Sequence, residues 1–291
     1  MRKIMKDKMK RLPLLILTVL LILAIPLSAF GCAGLTDQQI VSKVIETSNS
    51  IKSVKLAMDI SENVDITADS QSENMSVKET GIASVDNVAK EMMMNATMDM
   101  VVPNTGKQSM TMDEYLTGGY IYMKADLTGT DQWTKMKIDE SQWTNENQLA
   151  QQIEFLRSAI SVSRLNDETV NGLDCYVFQI TPDMSALIKW VQSQSQSNSE
   201  LKNLNPNMFK TTTLKMWMDK KSLLPQKESI DLTMELTPAD IGATTTKTTP
   251  TFDNMTMTMN GDITYSDYNI PVTIELPAAA ENAVEMPQPN Q

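Results

Sequence analysis

Residues 92–100 read Met92-Met93-Met94-Asn95-Ala96-Thr97-Met98-Asp99-Met100, apolar at every even position and polar at 95, 97 and 99. A period of two marks a strand with one dry and one wet face, because successive side chains leave the pleat on opposite sides. The pattern extends both ways. Met110, Met112 and Leu116 stand against Ser109, Thr111 and Asp113, and Trp133-Thr134-Lys135-Met136-Lys137-Ile138 alternates again. Gly118-Gly119 precedes Tyr120-Ile121-Tyr122-Met123-Lys124, the mark of a two-residue hairpin. Val54 to Ile138 therefore reads as antiparallel strands sharing one buried side.

The same period returns later. Leu214, Met216 and Met218 share a face, and Ile230, Leu232, Met234 and Leu236 oppose Ser229, Asp231, Thr233 and Glu235. Met255, Met257 and Met259 alternate with Thr256 and Thr258, Asn260-Gly261 reads as a turn, and Ile263, Tyr265, Val272, Ile274 and Leu276 close the set. Helical spacing appears in three places. Thr36-Asp37-Gln38-Gln39 has capping-box spacing and leads into Ile40, Val41, Val44, Ile45 and Ile51. Leu149, Ile153, Leu156 and Ile160 form one stripe. Thr181-Pro182-Asp183, with Thr as cap, leads into Met184, Leu187, Ile188 and Val191. Segment 237–251 reads as a Thr-rich loop. The tally is nine to eleven strands and three helices, an α+β layout in one domain over 37–277, with 278–291 a disordered tail.

Composition removes most chemistries. The chain has no His and two Cys among 291 residues. That excludes His-based nucleophile systems, His-ligated metals, cysteine-rich zinc sites and iron–sulfur clusters. A net charge of -11 argues against nucleic acid as partner. No phosphate-cradling glycine motif or EF-hand spacing occurs, and no carboxylate is marked as a general acid or base. The reading is of a non-enzyme, with no catalytic residues, no metal and no cofactor.

The amino terminus reads as an address. Six of the 25 basic residues lie in the first eleven positions against one acid, and an uncharged apolar run follows from Leu12 to Gly31. It ends in Leu27-Ser28-Ala29-Phe30-Gly31-Cys32, which resembles the bacterial lipobox. That resemblance implies a signal peptide over 1–31, acylation of Cys32 and a short tether over 32–36. An uncleaved membrane anchor is the alternative, and either reading puts the body outside the cytoplasm, in the cell envelope. Without 1–31 the chain holds 19 basic and 35 acidic residues, net -16, and stands off from an anionic membrane.

Three phrases carry a wider resemblance: Gly119-Tyr120-Ile121-Tyr122-Met123-Lys124 with Trp133-Thr134-Lys135-Met136, then Val170-Asn171-Gly172-Leu173-Asp174-Cys175-Tyr176, and Tyr268-Asn269-Ile270-Pro271-Val272-Thr273-Ile274-Glu275-Leu276-Pro277. With the order of elements, they resemble the LolA/LolB-like lipoprotein-carrier fold, including LppX/LprG-type lipid-binding lipoproteins, over most of 37–277. The resemblance implies a strongly curved antiparallel half-barrel of roughly ten strands. Helices near 148–162 and 182–192 would cover its concave face and close an apolar cavity.

Methionine is the unusual component, with 23 residues, 20 of them after the leader. Three readings stand. Met fills irregular cores, it makes soft walls for varied acyl chains, and its thioether suits Cu(I). The third is weakest, because x-Met-x-Met is what a strand face demands anyway. The second gives a candidate cavity lining of Met94, Met98, Met100, Met110, Met112, Met123, Met216, Met218, Met234, Met255 and Met257. The function expected is a monomeric, membrane-anchored lipoprotein that holds or transports a lipid or other amphiphile. The alternative is a surface interaction or sensor lipoprotein that keeps the fold without cargo.

Overall fold

The computed structural model describes residues 37–48, 50–69, 71–103, 105–125, 132–138, 161–185, 188, 206–241 and 252–286. Helix α1 (Asp37–Ser48) opens the domain. A meander follows: β1 (Ser53–Ala68), β2 (Gln71–Asp86), β3 (Glu91–Val102), β4 (Gly106–Thr117), β5 (Tyr120–Ala125) and β6 (Thr134–Lys137). The second half holds β7 (Ser161–Arg164), β8 (Glu168–Val170), β9 (Leu173–Thr181), β10 (Phe209–Asp219), β11 (Pro225–Leu236), β12 (Asn254–Ser266) and β13 (Val284–Glu285).

All thirteen strands join one open, curved sheet in the order β13-β6-β5-β4-β3-β2-β1-β12-β11-β10-β9-β7, with β8 beside β9. The two halves meet along β1 and β12, paired from Lys55↔Ser266 to Thr67↔Asn254. Pairing is antiparallel except for β13 beside β6. Three strands beyond the expected ten are accounted for by β7, β8 and β13, which are too short to show a period.

Register converts the alternation into one inner face. Leu56, Ala83, Met94, Glu114 and Met123 stand side by side across β1 to β5, and Tyr265 continues the row on β12. The core on this face is continuous around Val54, Leu56, Ile60, Met94, Met259 and Tyr265. Helix α1 adds Ile40 and Val44 to a neighbouring cluster with Phe178, Ile180, Leu214, Met216 and Met218. Its hydrophobic side is thus spent on the β9–β10 end of the inner face.

The turns follow from backbone chemistry. Gly118 and Gly119 have φ of 59° and 78°, as do Asn171 and Gly172 at 52° and 78°, the left-handed pairs that a right-twisted two-residue hairpin requires.

Several expectations are corrected. Asn260-Gly261 is no turn but lies inside β12. Gly261 falls in the inward phase between β1 and β11, where an added Cβ would meet Ile60 Cγ1 at 2.9 Å. The residue is small because two isoleucines, Ile60 and Ile230, close over it. Gly261→Ala is expected to cost about 1–3 kcal/mol by overpacking, read from the denaturant midpoint.

Val272, Ile274 and Leu276 form no strand. They pack with Tyr115, Trp133, Ala280 and Ala283 on the outer face. Nor is the chain a loose tail from Ala278. A 3-10 turn (Ala278–Asn282) buries Ala280 completely, and the Val284 and Met286 amides donate to the Trp133 and Lys135 carbonyls at 2.9 and 2.8 Å. Small side chains let this segment lie flat on the aromatic outer surface, which a compositional reading takes for disorder.

The stripe expected over 148–162 ends in a strand, since Ser161 and Val162 begin β7; the remainder lies outside the described residues. Near 182–192, Met184, Ser185 and Ile188 are helical. The cap is Asp183, whose Oδ1 accepts the Ser185 amide at 2.9 Å, and not Thr181, which ends β9. Cys32, the leader, the tether and 287–291 also lie outside the described residues.

Candidate functional site

All eleven methionines proposed as lining project from the inner face. Met94, Met98 and Met100 on β3 pair with Ala83, Glu79 and Val77 of β2, all inward. Met110 and Met112 on β4 face Met98 and Ala96, and Met123 on β5 faces Glu114. Met216 and Met218 on β10, Met234 on β11, and Met255 and Met257 on β12 complete the set. Met94, Met98, Met100, Met216, Met218 and Met257 are buried, and the other five are half-buried. They do not converge on one spot. Ten of them enter four core clusters spread across the sheet. Met58, Met75, Met92, Met136 and Met259 share this face and belong with them.

The sequence reading missed the polar part of the face. Glu62 and Glu79 occupy inward positions on adjacent strands, with Glu62 opposite Val77 and Met259, and Glu79 opposite Ile60 and Met98. Only 6% of Glu62 and 4% of Glu79 is exposed. Neither carboxyl has a hydrogen bond or ion pair among the described residues. Burial raises Glu62 from its ordinary 4.5 to about 7, with the Glu79 charge adding to it, and burial alone raises Glu79 to about 7.

Glu228 on β11 also points inward, opposite Met216 and Ile263. Neither of its sealed oxygens makes a well-formed hydrogen bond, and burial pushes it far above the carboxylate range against a weaker pull from the Tyr265 hydroxyl. Tyr268, stacked 6.5 Å from Tyr265, is pushed up by burial and then by Glu228, while its hydroxyl donates to the Pro225 carbonyl at 2.7 Å. A signal for these acids was present: each interrupts the apolar phase of an alternating strand, as in Met58, Ile60, Glu62, Val64.

Cations are sorted the other way. Every strand lysine from Lys55 to Lys227 lies in the outer phase, where Lys78 pairs with Asp59 and Lys227 with Asp262. The inner face has one described cation, Arg164 at the β7 edge. It lies 4.3 Å over the Tyr176 ring and pairs with Asp167 at 2.9 Å. An open cleft of about 670 Å³ there is lined by Arg164, Leu165, Asn166 and Glu168. Behind it, Cys175 is fully buried against Val177 and Trp217 on the outer side, and burial raises its thiol. Among the described residues no group of three or more His, Cys, Asp or Glu is placed to hold a metal ion, and no helix is long and apolar enough to cross a membrane.

A family model matches residues 36–285 of this chain, nearly the whole of the sheet and its outer strap. The chain belongs to DUF6612, a family of unknown function. No curated protein matches this DUF6612 chain. Among solved structures it is similar to the lipoprotein LppX of Mycobacterium tuberculosis, at 14% identity over 82% of this chain and 100% of that one, with a TM-score of 0.40. LprF from Mycobacterium bovis matches at 14% identity over 83% and 96%, TM-score 0.42. A LolA superfamily protein from Nitrosomonas europaea matches at 12% over 83% and 96%, TM-score 0.24.

Proposed function

We propose that this DUF6612 protein is a non-enzymatic, lipid-anchored envelope protein that holds a lipid or other amphiphile against the methionine-rich inner face of its sheet. The observation that carries this reading is that all eleven lining candidates emerge on a single face. Strand faces ordinarily favour β-branched and aromatic residues, whereas unbranched thioethers adapt to chains of different length. Partition supplies the affinity. Each buried methylene contributes about 0.8 kcal/mol, so ten methylenes give about 8 kcal/mol, within the range of association costs they must exceed. Cys32 would carry the acyl anchor.

The test is a titration of the chain from residue 33 onward, stripped of lipid, with an uncharged fluorescent monoacylglycerol. Saturable binding at micromolar concentration is expected; its absence would sink the proposal. The rival reading, a surface or sensor lipoprotein with a filled core, draws support from the tight burial of Met94, Met218 and Met259. Native mass spectrometry of protein taken from membranes separates the two, since a co-purifying lipid adds mass and a filled core adds none.

A further inference from the structure

We infer that the inner face selects an amphiphile with a cationic, ammonium-type head, whose charge is taken by Glu62 and Glu79 while its chain lies along the flanking methionines. This rests on the amphiphile-binding reading above and narrows it to a ligand class.

The register puts the two carboxyls on diagonal positions of β1 and β2, roughly 7 Å apart at the strand level, so one ammonium between them reaches both. Each is more than nine-tenths buried and has no donor or cation among the described residues. A carboxylate taken from water without a partner is destabilised by several kcal/mol, and natural interiors supply the missing partner. Here the strands on either side supply thioethers. From β12 come Met257 and Met259, and from β3 come Met98 and Met100. The only other charged group on the two strands' inner phase is Glu73.

A second observation is independent of the pair. The strand lysines all point outward, and Arg164 sits at the far edge, engaged with Asp167 and Tyr176. Among the described residues, an anionic head entering this face would meet carboxyl groups and no free cation. A third lies two strands away. Glu228, 3% exposed, places a further acid and no cation on this face, although burial keeps it protonated and it adds no charge of its own. On both sides of the pair the face is apolar, with Val64, Met75 and Met257 toward one end and Leu56, Met58 and Ile263 toward the other. A charged spot inside an oily strip is the complement of a head and tail.

The experiment compares three probes with the same dodecyl tail on the purified full chain: dodecylammonium, laurate and dodecyl maltoside. Each is titrated calorimetrically below its micelle-forming concentration, near pH 8 and about 0.15 M salt to screen the outer charges. Dodecylammonium is expected to bind at least about tenfold tighter than laurate. Glu62→Gln/Glu79→Gln should abolish that preference and leave dodecyl maltoside unchanged. Asp99→Asn/Asp231→Asn, which removes the same charge from exposed outer positions, should retain it.

Laurate binding as tightly as dodecylammonium, or a preference that survives in the Glu62→Gln/Glu79→Gln variant, overturns the inference and leaves the amphiphile reading intact. Failure of all three probes overturns both. If the double variant does not fold, the ranking of probes on the unaltered chain decides alone.

Discussion

Glu62→Gln and Glu79→Gln are each expected to stabilise the unliganded chain near pH 8 by up to about 3 kcal/mol. The two carboxyls sit at about 7 in the folded chain against an ordinary 4.5. A group held above its unfolded value binds its proton more tightly when folded. Between about 4.5 and 7 the folded chain therefore carries more protons than the unfolded one, and stability falls as pH rises through that window. Below it, both states are protonated and nothing is lost; above it, both are ionised and the loss is complete. The size follows from about 1.4 kcal/mol per tenfold change in proton affinity. Because Glu79 also raises Glu62, the second ionisation is the harder one, and removing either acid relieves the other. Urea unfolding across pH 4 to 8 checks this. The unaltered chain should weaken over the window, and each Gln variant should flatten the slope. A pH-independent difference, or a Gln variant less stable near pH 8, would show that the carboxyls are satisfied by a group near them. The same unfavourable ionisation is what a bound ammonium would offset, so a cationic ligand should stabilise the chain more at pH 8 than at pH 5.

How much of this was legible before the fold was known depends on period. Strands long enough to show alternation were readable with their inward phase, so Met94, Met216 and Met257 were assigned to one face from spacing alone. What period does not encode was lost. Asn260-Gly261 has the composition of a turn, and only the register shows Ile60 packed over Gly261 from the neighbouring strand. Ala278 to Glu285 resembles a tail because its side chains are small, yet smallness is what lets it lie against Trp133 and Tyr115. The acids fell out for a different reason. Counting apolar matches treats Glu62 or Glu228 as a tolerated exception, although a charged residue in the dry phase is the more informative position. Cross-strand neighbours then decide which exceptions meet. Glu62 and Glu79 are 17 residues apart in sequence and adjacent in the sheet.

The two faces of β9 provide the sharpest mutational contrast. Phe178, 1% exposed, points inward into the cluster that holds Ile40 and Val44 of α1, together with Leu214, Met216 and Met218. Val177, fully buried beside it in sequence, points outward to Cys175 and Trp217. Phe178→Ala removes a full aromatic side chain from a site walled by strands on two sides, which limits collapse, and is expected to cost about 3–5 kcal/mol. Val177→Ala removes roughly two methylenes and should cost about 2 kcal/mol. The location of the damage matters more than its size. α1 is a twelve-residue helix with no basic residue in its last turn, short enough to depend on packing rather than propensity. Loss of Phe178 should therefore release α1 before the sheet, seen as faster amide exchange over 40–48 while β1 and β12 stay protected. Val177→Ala should leave α1 exchange unchanged. Equal loosening of α1 in both variants would mean that the helix is held by something other than the inner-face cluster. The reading of that face as a surface closed from this side by α1 would then fail.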